Sequence, residues 1–308
     1  MENSKETIKY ITSLVLFGMN GILASQIKAD SMIIVLVRTF LGSFILLIAF
    51  MIKNRKKQLR KTAEENKENR NKASKNRSEK IWLLLSGAGM GLGWLFLYDS
   101  FQMIGVGIAT MTYYCGPAIV LLTAPIFLTE KINKNKIASF MIVVFGMVLM
   151  MIQTMDGKIA VRGIASGLIA AVCYAVMIIL GRKNRKIEGV ECALYQLLGA
   201  FGIVFLFICF KGWQVPVLER NGWISLLILG IVNTGFGCYL YFSAIPLLKI
   251  QTVTILGYLE PLSAVVMGMI FLGEHMTFIQ LSGVVFVLAG AYLGERKKDI
   301  RADIPSSV

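Results

Sequence analysis

The sequence predicts an all-α membrane protein of ten transmembrane helices arranged as two inverted five-helix repeats. Three observations carry this. Of 308 residues, 56% are hydrophobic and 16% charged, where a soluble domain carries about 25% charge. Apolar runs of helix length recur along the whole chain. And residues 86–150 align with 230–294 without a gap at an offset of 144, with 12 of 65 pairs identical.

The identical pairs include Gly91/Gly235, Gly93/Gly237, Thr110/Thr254, Tyr114/Tyr258, Pro117/Pro261, Glu130/Glu274 and Gly146/Gly290. Shared apolar composition supplies some matches by chance. It does not readily supply the spacing: Pro117 to Glu130 is 13 residues, and so is Pro261 to Glu274.

Ten apolar segments follow in order: 10–27, 32–52, 81–103, 107–128, 137–154, 163–181, 191–210, 223–245, 250–272 and 277–294. Each is long enough to cross ~30 Å of hydrocarbon at ~1.5 Å per residue, some with tilt. They must be helices, because a backbone in lipid has to satisfy its own hydrogen bonds. Residues 1–154 then form a first repeat carrying a basic insert at 53–80; 155–296 form the second, and 297–308 a tail. Lys5 and Lys9 before an apolar run resemble a signal peptide, but the run continues to Ile27, as a spanning helix requires.

Lys and Arg set the orientation. With the N-terminus inside, 26 of the 32 fall on inner segments, five on outer loops, and Arg38 remains inside a span. Both termini are therefore expected in the cytoplasm. Five spans per half put the second half upside down relative to the first. Inverted halves are a recurring plan of secondary transporters, with substrate near the midplane.

The net charge of +14 would suggest nucleic acid in a soluble protein. Here the basic residues separate apolar runs, so the expected partner is the lipid bilayer and not nucleic acid. The insert 53–80 reads either as a platform on anionic headgroups or, the favoured reading, as a topology anchor. All five Cys (115, 173, 192, 209, 238) lie within apolar segments and only one His is present, which argues against disulfides or a metal site. No cofactor is expected, and no phosphate-binding loop appears.

Glu260 lies about mid-depth in segment 9, where a lone carboxylate costs ~2.5–3.5 kcal/mol or more. It reads as a proton carrier, as a counter-charge for a substrate amine, or as a cap for backbone groups freed by Pro261. Arg38 reads as a carboxylate partner, a ligand of backbone carbonyls at a helix break, or a side chain snorkelling outward. Thr110, Tyr113, Tyr114 and Pro117 share a face of segment 4. Thr254, Tyr258 and Pro261 repeat it in segment 9, with Gly257 where Tyr113 would fall. Two such bent, polar helices suit a cavity wall, the favoured reading, or a packing face. Trp94, Asn20 and Gln196 are further mid-depth candidates. Asp99 reads as interfacial, and Glu130 and Glu274 as helix-end anchors.

Leu259-Glu260-Pro261-Leu262 through Phe271-Leu272-Gly273-Glu274, with its weaker copy Cys115-Gly116-Pro117 through Thr129-Glu130, resembles the signature of the EamA family of the drug/metabolite transporter superfamily. The resemblance spans about residues 10–294. Thr129 departs from it where Gly is common, and the basic insert is long for the family. It implies a plasma-membrane carrier of small metabolites, often an exporter of amino acids or related compounds, and no enzyme. A small-molecule substrate is the expectation that follows, and the proton-carrier reading of Glu260 is the one that would couple transport to a proton gradient. The alternative is a non-transporting membrane scaffold or receptor of the same fold. Substrate identity and oligomeric state are not legible in the sequence.

Overall fold

The computed structural model describes residues 4–58, 77–116, 119, 120, 123, 134–152, 158–181, 183, 184, 187, 189–212, 218–244, 248, 256, 257 and 259–295. Pro117, Glu130, Thr254, Tyr258, insert residues 59–76 and the tail lie outside them.

Helix follows helix. In order these are α1 (Ser4–Gly18), α2 (Asn20–Ser25), α3 (Ser31–Gln58), α4 (Arg77–Ile104), α5 (Val106–Tyr113), α6 (Lys134–Ile152), α7 (Lys158–Gly181) and α8 (Gly189–Lys211). Then come α9 (Arg220–Leu227), a π-helix (Ile228–Phe236), α10 (Gly237–Ala244), α11 (Leu259–Phe271) and α12 (Phe278–Glu295). Each of the ten apolar segments holds helix. Among the described residues, six stretches are long and apolar enough to cross a membrane: Ser4–Ser25, Ser31–Arg55, Arg77–Ile104, Ile159–Gly181, Gly189–Phe210 and Arg220–Ala244. The outside is apolar as well, with Phe210, Phe278, Ile159 and Ile270 among the most exposed side chains. That is the inverse of a water-soluble surface, and lipid is its natural solvent.

Several boundaries differ from the hydropathy reading. Hydropathy bounds segments 2 and 3 at 52 and 81, but α3 runs to Gln58 and α4 starts at Arg77. It marks only the bilayer-thick part, and Lys, Arg and Gln continue a helix well in water. Segment 1 is broken at Met19 into α1 and α2. Segment 4 leaves its first helix at Tyr113 and turns through Tyr114 and Cys115, just ahead of Pro117. Pro261 lies in the first turn of α11, where its missing N–H costs nothing.

Close packing runs through glycine. A Cβ on Gly87 would come within 1.9 Å of the Gln196 carbonyl, and one on Gly199 within 2.1 Å of the Leu84 carbonyl. Helices α4 and α8 therefore touch backbone to backbone, as small residues allow in membranes. The glycines shared by the two copies meet exchanged partners. Gly91 of α4 faces Ala200 of α8, while Gly235 of the π-helix faces Ile45 of α3; Gly93 faces Cys173 of α7, while Gly237 faces Phe17 of α1. Gly146 of α6 abuts Gly283 of α12.

Candidate functional site

A cavity of about 40 Å³ lies inside the helices, lined by Phe17, Asn20, Arg38, Trp94, Tyr98, Phe101, Thr110, Tyr113 and Glu260 among others. Its walls come from α1, α2, α3, α4, α5 and α11, so both halves of the chain contribute. This volume holds a few waters.

Arg38 is the largest fully buried side chain, 1% exposed. A guanidinium in such a place needs partners. Its Nε donates to Thr234 Oγ1 at 2.9 Å, and a terminal nitrogen donates to the Tyr98 hydroxyl. The guanidinium carbon stands 4.1 Å from the centroid of Trp94, a cation–π contact worth up to ~2 kcal/mol when desolvated. Tyr98 is one helical turn beyond Trp94, so one face of α4 supplies both. Neither outward snorkelling nor a helix-break carbonyl describes this arginine. It points inward, onto side chains.

Thr234 reaches Arg38 because its helix changes pitch. Its hydroxyl donates to the Leu229 carbonyl five residues back, at 2.8 Å, within the π-helix. The extra residue of a π turn, frequent at functional sites, turns Asn233 inward beside it. Both are buried. Asn233 Nδ2 donates to the Leu16 carbonyl at 2.6 Å and to Asn20 Oδ1 at 3.0 Å. The break at Met19 is thus bridged by an amide from α1's neighbour, and Asn20 is held at the cavity edge.

Glu260 stands in the first turn of α11, half-buried and facing the cavity. Tyr114 neighbours its carboxylate. Tyr113 packs edge-on against Tyr114 and Tyr174, with centroids 5.9 and 5.4 Å apart. Among the described residues neither Arg38 nor Glu260 forms an ion pair. At the place in the repeat that matches Glu260 stands Gly116, where a Cβ would come within 2.5 Å of the Tyr174 ring. Among the described residues the cavity therefore carries one carboxylate and not a symmetric pair.

Of the sequence candidates, Glu260, Arg38, Trp94, Asn20, Thr110 and Tyr113 line this one cavity. Tyr114 backs Glu260. Gln196 does not line it: its side-chain nitrogen contacts Cys192 Sγ at 3.7 Å and its backbone packs on Gly87. Thr254, Tyr258 and Pro117 lie outside the described residues. Asp99 accepts a bond from Ser166 at 3.0 Å, between α4 and α7. Sequence reasoning missed Thr234, Asn233, Tyr98, Phe17 and Phe101. Asn233-Thr234, a polar pair inside an apolar run, was a visible signal; the aromatics carried none. All five cysteines are free, and no cluster of metal-ligating side chains occurs among the described residues.

A multi-pass helical membrane protein enclosing a small polar cavity with one buried cation and one carboxylate has the parts a solute carrier needs. The chain is a member of the EamA-like transporter family, which matches it over residues 6–152 and 161–294. Relatives include the uncharacterized transporter YxxF of Bacillus subtilis (strain 168), 25% identical over 98% of this chain and 93% of its own. The threonine/homoserine exporter RhtA of Escherichia coli (strain K12) is 27% identical over 72% of this chain and 74% of its own. A solved crystal structure superposes with a TM-score of 0.63 at 13% identity, covering 95% of this chain and 98% of that one. The protein is thus a secondary transporter of small metabolites across a membrane, not an enzyme.

Proposed function

We propose that this carrier moves amino acids, or small amphiphiles of the same charge pattern, out across the plasma membrane by alternating access. The observation that carries this is the meeting of Arg38 and Glu260 on one cavity, each without an ion-pair partner among the described residues. A zwitterion answers both: its carboxylate to the guanidinium, its ammonium to Glu260. Burying either charge without a counter-charge is costly, so a substrate bearing both signs suits the site best. The rings of Phe17, Trp94, Phe101 and Tyr113 on the lining suit an apolar or short side chain. A family relative named as a threonine/homoserine exporter supports the class and the direction. A cavity of 40 Å³ is too small for an amino acid, so the helices must part to admit one.

Ten spans in two inverted halves serve this function, and the exchanged glycine contacts described above support that arrangement. The count and the cytoplasmic placement of both termini are tested by labelling. Single cysteines at Ser74 and near Ser306 are expected to react only from the cytoplasmic side, and one near Gln214 only from outside. Opposite sides for Ser74 and Ser306 would end the ten-span arrangement. The role of the basic insert 53–80 is that of a topology anchor.

The substrate class is tested by competition. Purified protein in proteoliposomes is loaded with a neutral amino acid, and counterflow of the labelled form is measured. Free amino acids are expected to compete, whereas the N-acetyl and methyl ester derivatives lose at least about tenfold in potency, as loss of one charged hydrogen bond implies. Equal competition by either single-charge derivative contradicts the zwitterion reading. No counterflow with any small solute favours the scaffold alternative.

A further inference from the structure

The segment that ends the second repeat copy does more than stop a helix. Gly273 has φ +65°, and the Glu274 amide returns to the Gly268 carbonyl at 3.2 Å. This is a helix end closed through a left-handed glycine. It swings Glu274 back along α11 and across to another helix. There the carboxylate accepts from the amides of Val106 at 2.5 Å and Gly107 at 2.9 Å, the first two residues of α5. An anion at a helix N-terminus meets both orphan amides and the favourable end of the dipole.

The fit is tight because three glycines form the cradle. A Cβ on Gly105 would stand 2.8 Å from Glu274 Oε1. On Gly268 it would stand 2.7 Å from Oε2, and on Gly107 3.2 Å from the same oxygen. Gly105 itself has φ +79°, a turn that only glycine makes easily. Other polar links at this end, among them Lys28 to Glu219, Gln102 to the Ala29 carbonyl and Ser225 to Gln26, join different elements. Glu274 alone among these ties α11 to α5, and those two helices bring Glu260 and Ala264, and Thr110 and Tyr113, to the cavity.

We propose that Glu274 is the latch of one gate: it holds the cavity shut at this end, and its two bonds to α5 break whenever that end opens. The inference rests on the carrier function but not on the substrate. A latch that is too strong or absent shifts the balance between the two faces, because a ligand or bond can bias a two-state equilibrium only by what it contributes to one state.

The test is accessibility, which needs no substrate. A reporter Ala264→Cys lines the cavity; its reaction with a charged, impermeant thiol reagent is timed from each face, against the parent that keeps Ala264. Glu274→Gln is expected to speed labelling from the Glu274 face by about tenfold, since loss of one charge-assisted bond is worth that much. Labelling from the opposite face should not rise. Gly268→Ala keeps the carboxylate but crowds it, and is expected to act in the same direction. Unchanged rates, or equal rises from both faces, overturn the latch. So does a loss of folded yield in both variants, which would make Glu274 a cap needed for folding. Counterflow measured alongside separates failure of this inference from failure of the substrate reading.

Discussion

Arg38→Lys is expected to raise the Kd for substrate by at least about thirtyfold while leaving a folded protein. Truncating one partner of a buried charge pair typically costs ~2–5 kcal/mol. Lysine keeps the charge but not the fork. The planar group of Arg38 serves Thr234 from Nε and Tyr98 from a terminal nitrogen, and lies over Trp94. Its remaining N–H groups are those left for a substrate carboxylate. A single ammonium cannot make both side bonds, stack, and still present donors to the cavity. The measurement is binding by calorimetry on purified Arg38→Lys, with thermal stability recorded beside it. Wild-type affinity in a destabilised variant would make Arg38 a strut between α3, α4 and the π-helix, and remove it from the binding site.

Much of this architecture was legible in the chain because lipid imposes it. The described part of each apolar segment is largely helical, since no other backbone satisfies itself there. The Pro-to-Glu spacing of the two copies pointed to the segments whose described parts carry Tyr114, Glu260 and Glu274. Depth in the span picked out Glu260, Arg38, Trp94 and Asn20, and these do share one cavity. What sequence could not show was direction. Arg38 faces inward because Tyr98 and Thr234 wait for it, and Thr234 is in place only because its helix adopts a π pitch. No residue type in Ile228–Phe236 announces that pitch. Gln196 had the same mid-depth credentials as Asn20, yet its helix presses on Gly87 and turns the amide away from the cavity. Glu274 read as an anchor from its place at a span end. That it anchors another helix, through amides 168 and 167 positions earlier in the chain, is a tertiary fact.

Glu260→Gln is expected to abolish proton-driven accumulation and leave part of the counterflow exchange. The amide keeps size and hydrogen bonding but cannot lose or gain a proton at working pH. The carboxylate stands in the first turn of α11, neighbouring Tyr114 and on the wall of the cavity that also holds Arg38. It is the single carboxylate among the described residues of that wall; the matching place in the first copy is Gly116, with Tyr174 packed against it. A group in that position can be occupied by a proton or by a substrate ammonium, but not well by both. On the proposed reading, that exclusion couples export of one to import of the other. Three measurements on the one variant separate the roles. If Glu260 both holds the substrate ammonium, as proposed, and carries protons, binding weakens and gradient-driven accumulation disappears altogether while part of the counterflow persists. If it pairs with the substrate amine and nothing else, binding weakens by roughly 2–5 kcal/mol, and counterflow falls with it. If it serves only to cap the backbone beside Pro261, glutamine does as well in all three assays, and both functional roles for Glu260 fall together.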